Sequence, residues 1–158
     1  MQKITPFLWF NDNALEAAKF YASVFKQAKI GKVAYYGEGM PGPAGSVMTV
    51  EFKLFGQDFI ALNGGPVFKF TEAISLVVNC KTQREIDYYW KKLSAGGKEV
   101  QCGWLQDKYG LSWQIVPTVL MELAASKDRA KAGRVLQAMM GMVKFDIKGL
   151  KDAAKKKS

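Results

Sequence analysis

A chain of 158 residues that is 49% apolar and 13% aromatic has the length for one packed domain and too many core formers to be disordered. No stretch approaches a membrane span, and the opening MQKITPFLWF runs too soon into Asn11-Asp12-Asn13 to be a signal peptide, so a cytoplasmic location is expected. The net charge of +9 sits mostly at one end: from Lys127 onward ten basic residues face three acidic ones, a surplus of seven, against thirteen and eleven before it, a surplus of two.

A lysine-rich end of this kind reads as a solvated tail. No aromatic residue interleaves its final lysines, which argues against nucleic acid as a partner. The two cysteines, Cys80 and Cys102, match neither a metal-finger spacing nor a disulfide framework. They read as free buried thiols, since a catalytic thiolate needs a basic partner and the chain has no histidine.

In chain order, Ile4 to Phe10 is a strand candidate, and Asn11-Asp12-Asn13 offers a turn and a helix cap. Ala14 to Phe25 carries Ala17, Phe20, Tyr21 and Val24 at helical spacing. Lys29 to Tyr36 reads as a second strand, and GEGMPGPAG at 37–45 as a loop long enough to form a lid. Two further strands, Val47–Leu54 and Gln57–Asn63, turn at Phe55-Gly56.

The same order then begins again. Ala73 to Cys80 is strand-like, and Thr82 is placed to cap a helix with Ile86, Tyr89, Trp90 and Leu93 on its apolar face. Gly96-Gly97 ends that helix. Lys98 to Gln101 is a short strand, and CGWLQDKYGLSWQIVP at 102–117 is a buried hairpin. This hairpin has the layout of MTVEFKLFGQDFIALN at 48–63: Gly56 falls with Gly110 and Phe59 with Trp113, and on the first strands Phe7 superposes on Leu76. A hairpin used twice implies a duplicated unit. The expected organisation is paired βαβββ modules over 1–117, at about 3–63 and 72–117. A helical extension follows over 118–150, built on helices at Val119–Ala125 and Arg129–Met140 with Ser126 or Asp128 capping the second, and then a frayed basic tail over 151–158.

Two such modules in tandem resemble the vicinal oxygen chelate superfamily, which includes glyoxalase I, extradiol dioxygenases and bleomycin-resistance proteins. The stretches ITPFLWFNDNALEAAKFYASVF, GPAGSVMTVEFKLFGQDFIALNGGP, FTEAISLVVNC, GWLQDKYGLSWQIVP and MMGMVKFDIKGLKDAA are similar to its PhnB-like branch, whose members have often been labelled 3-demethylubiquinone-9 3-methyltransferase. The resemblance implies an α+β fold in which the modules curl as mixed sheets around a cavity, and a homodimer.

It also implies where a metal would be held. Superfamily enzymes place one ligand on the first and one on the last strand of each module, commonly histidine, glutamate or glutamine. Those positions fall here at Thr5 or Pro6, Ile60, Ile74 or Ser75, and Gln114. Only Gln114 is a plausible ligand, and one amide oxygen does not hold zinc, nickel or iron. No metal and no cofactor is therefore expected.

What remains is a cavity for a small apolar or aromatic molecule. Trp9, Phe10 and Trp104 are candidates for its flat walls. Gln114 and Ser112, which alternate with Trp113 and Ile115, are candidates for its polar groups. Thr49 and Glu51 lie on the polar face of a strand whose other face is apolar. A Glu51 carboxylate desolvated in the cavity would have a raised pKa and serve as a general base, which keeps an enzyme open as the alternative. The methyltransferase label lacks a glycine-rich strand-to-helix turn for S-adenosylmethionine, and sequestration of a cationic drug suits an acidic groove that this composition does not supply.

Overall fold

A computed structural model describes residues 2–156. The chain divides at residues 70 and 71 into two units, Met1–Phe70 and Thr71–Ser158.

The first unit runs β1 (Phe7–Phe10), α1 (Ala14–Val24), β2 (Ala28–Tyr35), β3 (Val47–Leu54) and β4 (Gln57–Asn63). Its sheet has the order β1-β4-β3-β2, with β1 parallel to β4 and the other pairs antiparallel. Strand alternation sends Leu8, Phe10, Val50, Phe52, Leu54, Phe59 and Ala61 into the core, where α1 buries Ala14, Ala17, Ala18, Tyr21 and Val24. Tyr21 stacks on Phe52 at 6.0 Å and Phe52 on Phe59 at 5.3 Å, so a ladder of rings joins helix to sheet. The Asn13 side chain does not cap α1. Asn63 instead accepts from the Ala14 amide at 2.8 Å, so the end of β4 supplies the acceptor that the helix N-terminus lacks.

The second unit repeats the order: β5 (Leu76–Cys80), α2 (Gln83–Ser94), β6 (Lys98–Glu99), β7 (Trp104–Gln106) and β8 (Ser112–Pro117). Its sheet has the order β5-β8-β7-β6, again with one parallel pair, β5 with β8. Thr82 caps α2 by accepting from the Glu85 amide at 3.2 Å. Ile86, Tyr89, Trp90 and Leu93 are all buried. The fold class is therefore α+β, two four-stranded mixed sheets with helices.

The structure corrects several boundaries. β1 starts at Phe7 rather than Ile4 because Pro6 has no amide proton for a ladder; its carbonyl accepts from the Ile60 amide at 3.0 Å instead. β5 starts at Leu76 rather than Ala73 because its partner strand begins at Ser112. Phe7 pairs with Ile60, and Val77 with Gln114. With Phe59 matched to Trp113, Phe7 therefore corresponds to Val77 and not to Leu76. A one-residue slip of that kind moves a side chain to the other face of a sheet.

The C-terminal helices are α3 (Thr118–Ala124), α4 (Arg129–Met140) and α5 (Ile147–Lys155). Asp128 caps α4 by accepting from the Lys131 amide. The tail expected to fray from Lys151 is helical as far as Lys155. Leu150 and Ala154, one turn apart, are buried, and Arg134 of α4 donates to the Ala153 and Ala154 carbonyls, each at 3.0 Å. Lys157 and Ser158 lie outside the described residues. Among the described residues no helix is long and apolar enough to cross a membrane.

Candidate functional site

Each sheet has one face against its helix, and the side chains that alternate with the core define the other. On the first sheet that second face carries Phe7 and Trp9 of β1, Thr49, Glu51 and Lys53 of β3, and Asp58, Ile60 and Leu62 of β4, in register across the strands. A cleft of about 330 Å³ opens there, lined by Thr5, Lys29, Gly31, Glu51, Phe52, Lys53, Asp58, Phe59 and Ile60. Its size suits a small molecule.

Lys53 and Asp58 face each other across the hairpin, Nζ to Oδ1, at 2.5 Å. The ammonium bonded to it holds the Asp58 carboxyl below the usual range. Glu51 lines the cleft but is exposed. The desolvated setting expected of this carboxylate is not what surrounds it, because this face of β3 remains open to water.

The other predicted residues are dispersed. Thr49 shares the face of Glu51, pairs with Leu62 and lies outside the cleft lining. Trp9 donates its Nε1–H to the Gly65 carbonyl at 2.9 Å and meets the Phe68 ring edge-on at 4.8 Å, so the indole is tied to the segment after β4. Phe10 is 3% exposed and packs on Phe70 at 5.2 Å. As strand neighbours, Trp9 and Phe10 point to opposite faces, and Phe10 belongs to the core. Of the two lysines that supply the cleft's positive charge, Lys53 follows from the same strand alternation that places Thr49 and Glu51, and Lys29 was missed. Its place is set by the register of β2 on β3, which puts it opposite Lys53.

In the second unit, Trp104, Ser112 and Gln114 share one face: Trp104 pairs with Gln114, and Gln106 with Ser112. Gln114 donates from Nε2 to the Ser75 hydroxyl at 2.9 Å. Ser112 is fully buried, and its hydroxyl has no partner among the described residues. The opposite face holds Trp113, whose Nε1–H donates to the buried Asp107 carboxylate at 2.9 Å. Burial pushes the Cys80 thiol up to about 12, with Glu85 adding to the shift, so it stays protonated and unreactive at neutral pH.

The four metal positions can be tested against these contacts. Parity with Phe7 and Val77 selects Thr5 and Ser75 over their neighbours. The set is then two hydroxyls, an isoleucine and an amide that already bonds one of the hydroxyls. This donor set does not fit a divalent transition metal, which takes imidazole, thiolate or carboxylate. Among the described residues no group of three or more histidine, cysteine, aspartate or glutamate side chains gathers elsewhere.

Comparison with known proteins places this geometry in a family. The sequence model described as 3-demethylubiquinone-9 3-methyltransferase matches residues 2–116. The PhnB protein of Bacillus cereus, whose description carries the same methyltransferase name, is 40% identical. It superposes with a TM-score of 0.68 over 74% of this chain and 100% of its own. Protein PA1353 of Pseudomonas aeruginosa is 20% identical, with a TM-score of 0.62 over 74% of this chain and 98% of its own. The fosfomycin resistance protein FosX of Listeria monocytogenes is 15% identical, with a TM-score of 0.52 over 77% and 97%, and shares the fold alone. No curated protein matches the chain. With the family pattern spanning both modules and a relative at 40% identity matched over its full length, the chain belongs to the 3-demethylubiquinone-9 3-methyltransferase family, to which the description of the PhnB protein also points.

Proposed function

We propose that this chain binds a small, largely apolar or aromatic molecule in the cleft of the first sheet, without a metal. One observation carries the reading: a cleft of about 330 Å³ floored by Ile60, with Thr5 and the charged groups of Lys29, Glu51, Lys53 and Asp58 around it, of the size usual for small-molecule sites. Titration calorimetry with 2-naphthol is expected to show saturable binding that survives EDTA and weakens about tenfold or more in Ile60→Asp, since a tenfold loss is about 1.4 kcal/mol. Absence of saturable heat, or binding lost on chelation and restored by a divalent ion, would refute it.

A second reading, acid–base chemistry with Glu51 as the base, rests on that carboxylate lining the same cleft. Its mark is turnover abolished by Glu51→Gln with binding retained. Methyl transfer, named in the family description, has less support. Each sheet contains a single parallel pair, unlike the parallel sheets whose strand-to-helix turns usually hold S-adenosylmethionine.

The expected partner beyond the bound molecule is a second copy of the chain. Phe7 and Val77, on the non-helix faces of the two sheets, are 56% and 48% exposed, apolar surface of the kind a subunit interface covers. Light scattering at micromolar concentration is expected to give twice the 17.6 kDa chain mass. A monomer mass would dismiss the dimer.

A further inference from the structure

The charges of the cleft are arranged unevenly. Lys29, Glu51, Lys53 and Asp58 all line it, two of each sign, so its net charge is zero. Lys53 and Asp58 satisfy each other at 2.5 Å. Among the described residues, neither the Lys29 ammonium nor the Glu51 carboxylate has a hydrogen-bond or ion-pair partner. One cation and one anion are thus left open in a neutral, largely apolar recess.

Their placement follows from the register. Lys29 lies opposite Lys53, and Glu51 is two residues from Lys53 on the same face. Lys29 and Glu51 are therefore diagonal neighbours, roughly 7–8 Å apart along the sheet. A β-bulge between Ile30 and Val33 interrupts the pairing beside them, a device common next to functional sites. Gly31 sits in that bulge hard against Glu51: a Cβ there would stand 3.2 Å from the Glu51 carbonyl oxygen and 3.3 Å from its Cβ. A larger residue there would press on Glu51, which would have to give by a few tenths of an ångström.

We propose that the cleft takes a zwitterionic molecule of the apolar α-amino-acid class, a reading that rests on the binding function above. Its carboxylate is held by Lys29, its ammonium by Glu51, and its side chain lies over Ile60. An α-amino acid carries its two charges a few ångströms apart. With a charge-assisted bond of about 2.8 Å at each end, it spans the diagonal between the two side chains. A net-neutral recess favours a net-neutral guest, because a molecule with one charge matches only one of the two open groups.

Calorimetric titration of the full chain tests this with L-phenylalanine, 3-phenylpropionate, which lacks the ammonium, and 2-phenylethylamine, which lacks the carboxylate. Phenylalanine is expected to bind about tenfold or more tighter than either, since each analogue lacks one of the two charged hydrogen bonds. Lys29→Met is expected to reduce phenylalanine to the affinity of phenylethylamine and leave phenylethylamine unchanged. Glu51→Gln is expected to reduce it to that of phenylpropionate. Gly31→Val is expected to weaken all three. Equal affinities for the three compounds, or losses that do not follow the deleted charge, would overturn the amino-acid assignment. Binding of 2-naphthol without binding of phenylalanine overturns it too while sparing the binding function, whereas failure of both removes both.

Discussion

Asp107→Ala is expected to lower the unfolding free energy by about 4 kcal/mol, a large loss for a single polar substitution. The side chain is 2% exposed. Its Oδ1 accepts from the Tyr109 and Leu111 amides at 2.9 and 3.1 Å, and its Oδ2 from Trp113 Nε1 at 2.9 Å. Truncation strands three donors around the β7–β8 turn, each costing about 1–3 kcal/mol where water does not replace the oxygen. Asp107→Asn separates the causes. Its amide oxygen still serves the backbone donors, but its NH₂ meets the indole N–H donor to donor, so a loss of about half is expected. Urea unfolding gives both values. A loss under about 1 kcal/mol for alanine would mean that the carboxylate does not hold the turn.

Phe145→Ala is expected to cost about 3–5 kcal/mol and to loosen α5 before the sheet of its own unit. The ring is 2% exposed and packs on Gly103, where a Cβ would stand 2.3 Å from it. The backbone around it is stitched to the second module. Cys102 and Gly103 donate to the Met142 and Val143 carbonyls, each at 2.8 Å. Gln83 at the start of α2 donates to the Phe145 carbonyl and accepts from the Ile147 amide, both at 2.9 Å. Removing the ring takes away the apolar contact that holds these bonds together. Hydrogen exchange is the measurement. The Cys102, Gly103 and α5 amides should exchange well ahead of those of β5 and β8. Uniform acceleration throughout the unit would show that the extension is not a separable layer.

These contacts also settle on which surface the C-terminal segment rests, something its apolar spacing did not reveal. Phe145, Ile147 and Leu150 announce a buried side, but spacing alone does not name the partner. Gly103, at φ 79 against the ring, is the complementary feature, and only a folded hairpin brings the two together. Asp107 was legible in principle, since an aspartate followed three residues later by Gly110 is an ordinary turn signature. Its bond to Trp113 was not, because that bond depends on how far the turn folds back.

The candidate site divides along the same line. Alternation in β3 placed Glu51 on the face opposite Val50 and Phe52, and the structure agrees on that face. Alternation also implies that Trp9 and Phe10 cannot share a wall, and Phe10 is in the core. Lys29 escaped notice because its place depends on where β2 slips past β3. That slip is a bulge at Gly31, which no periodicity announces.

By itself, then, the order of residues determined the repeated βαβββ units, the limits of β3, β4 and α4, and the weakness of the family's metal positions. These follow from local rules: side-chain period, turn and cap chemistry, and the donor atoms a residue owns. Tertiary structure decided that Asn63 supports α1, that Phe145 seats the C-terminal helices, and that an open lysine and an open glutamate share one cleft. Such facts depend on contacts between residues far apart along the chain, and only packing and register set those distances.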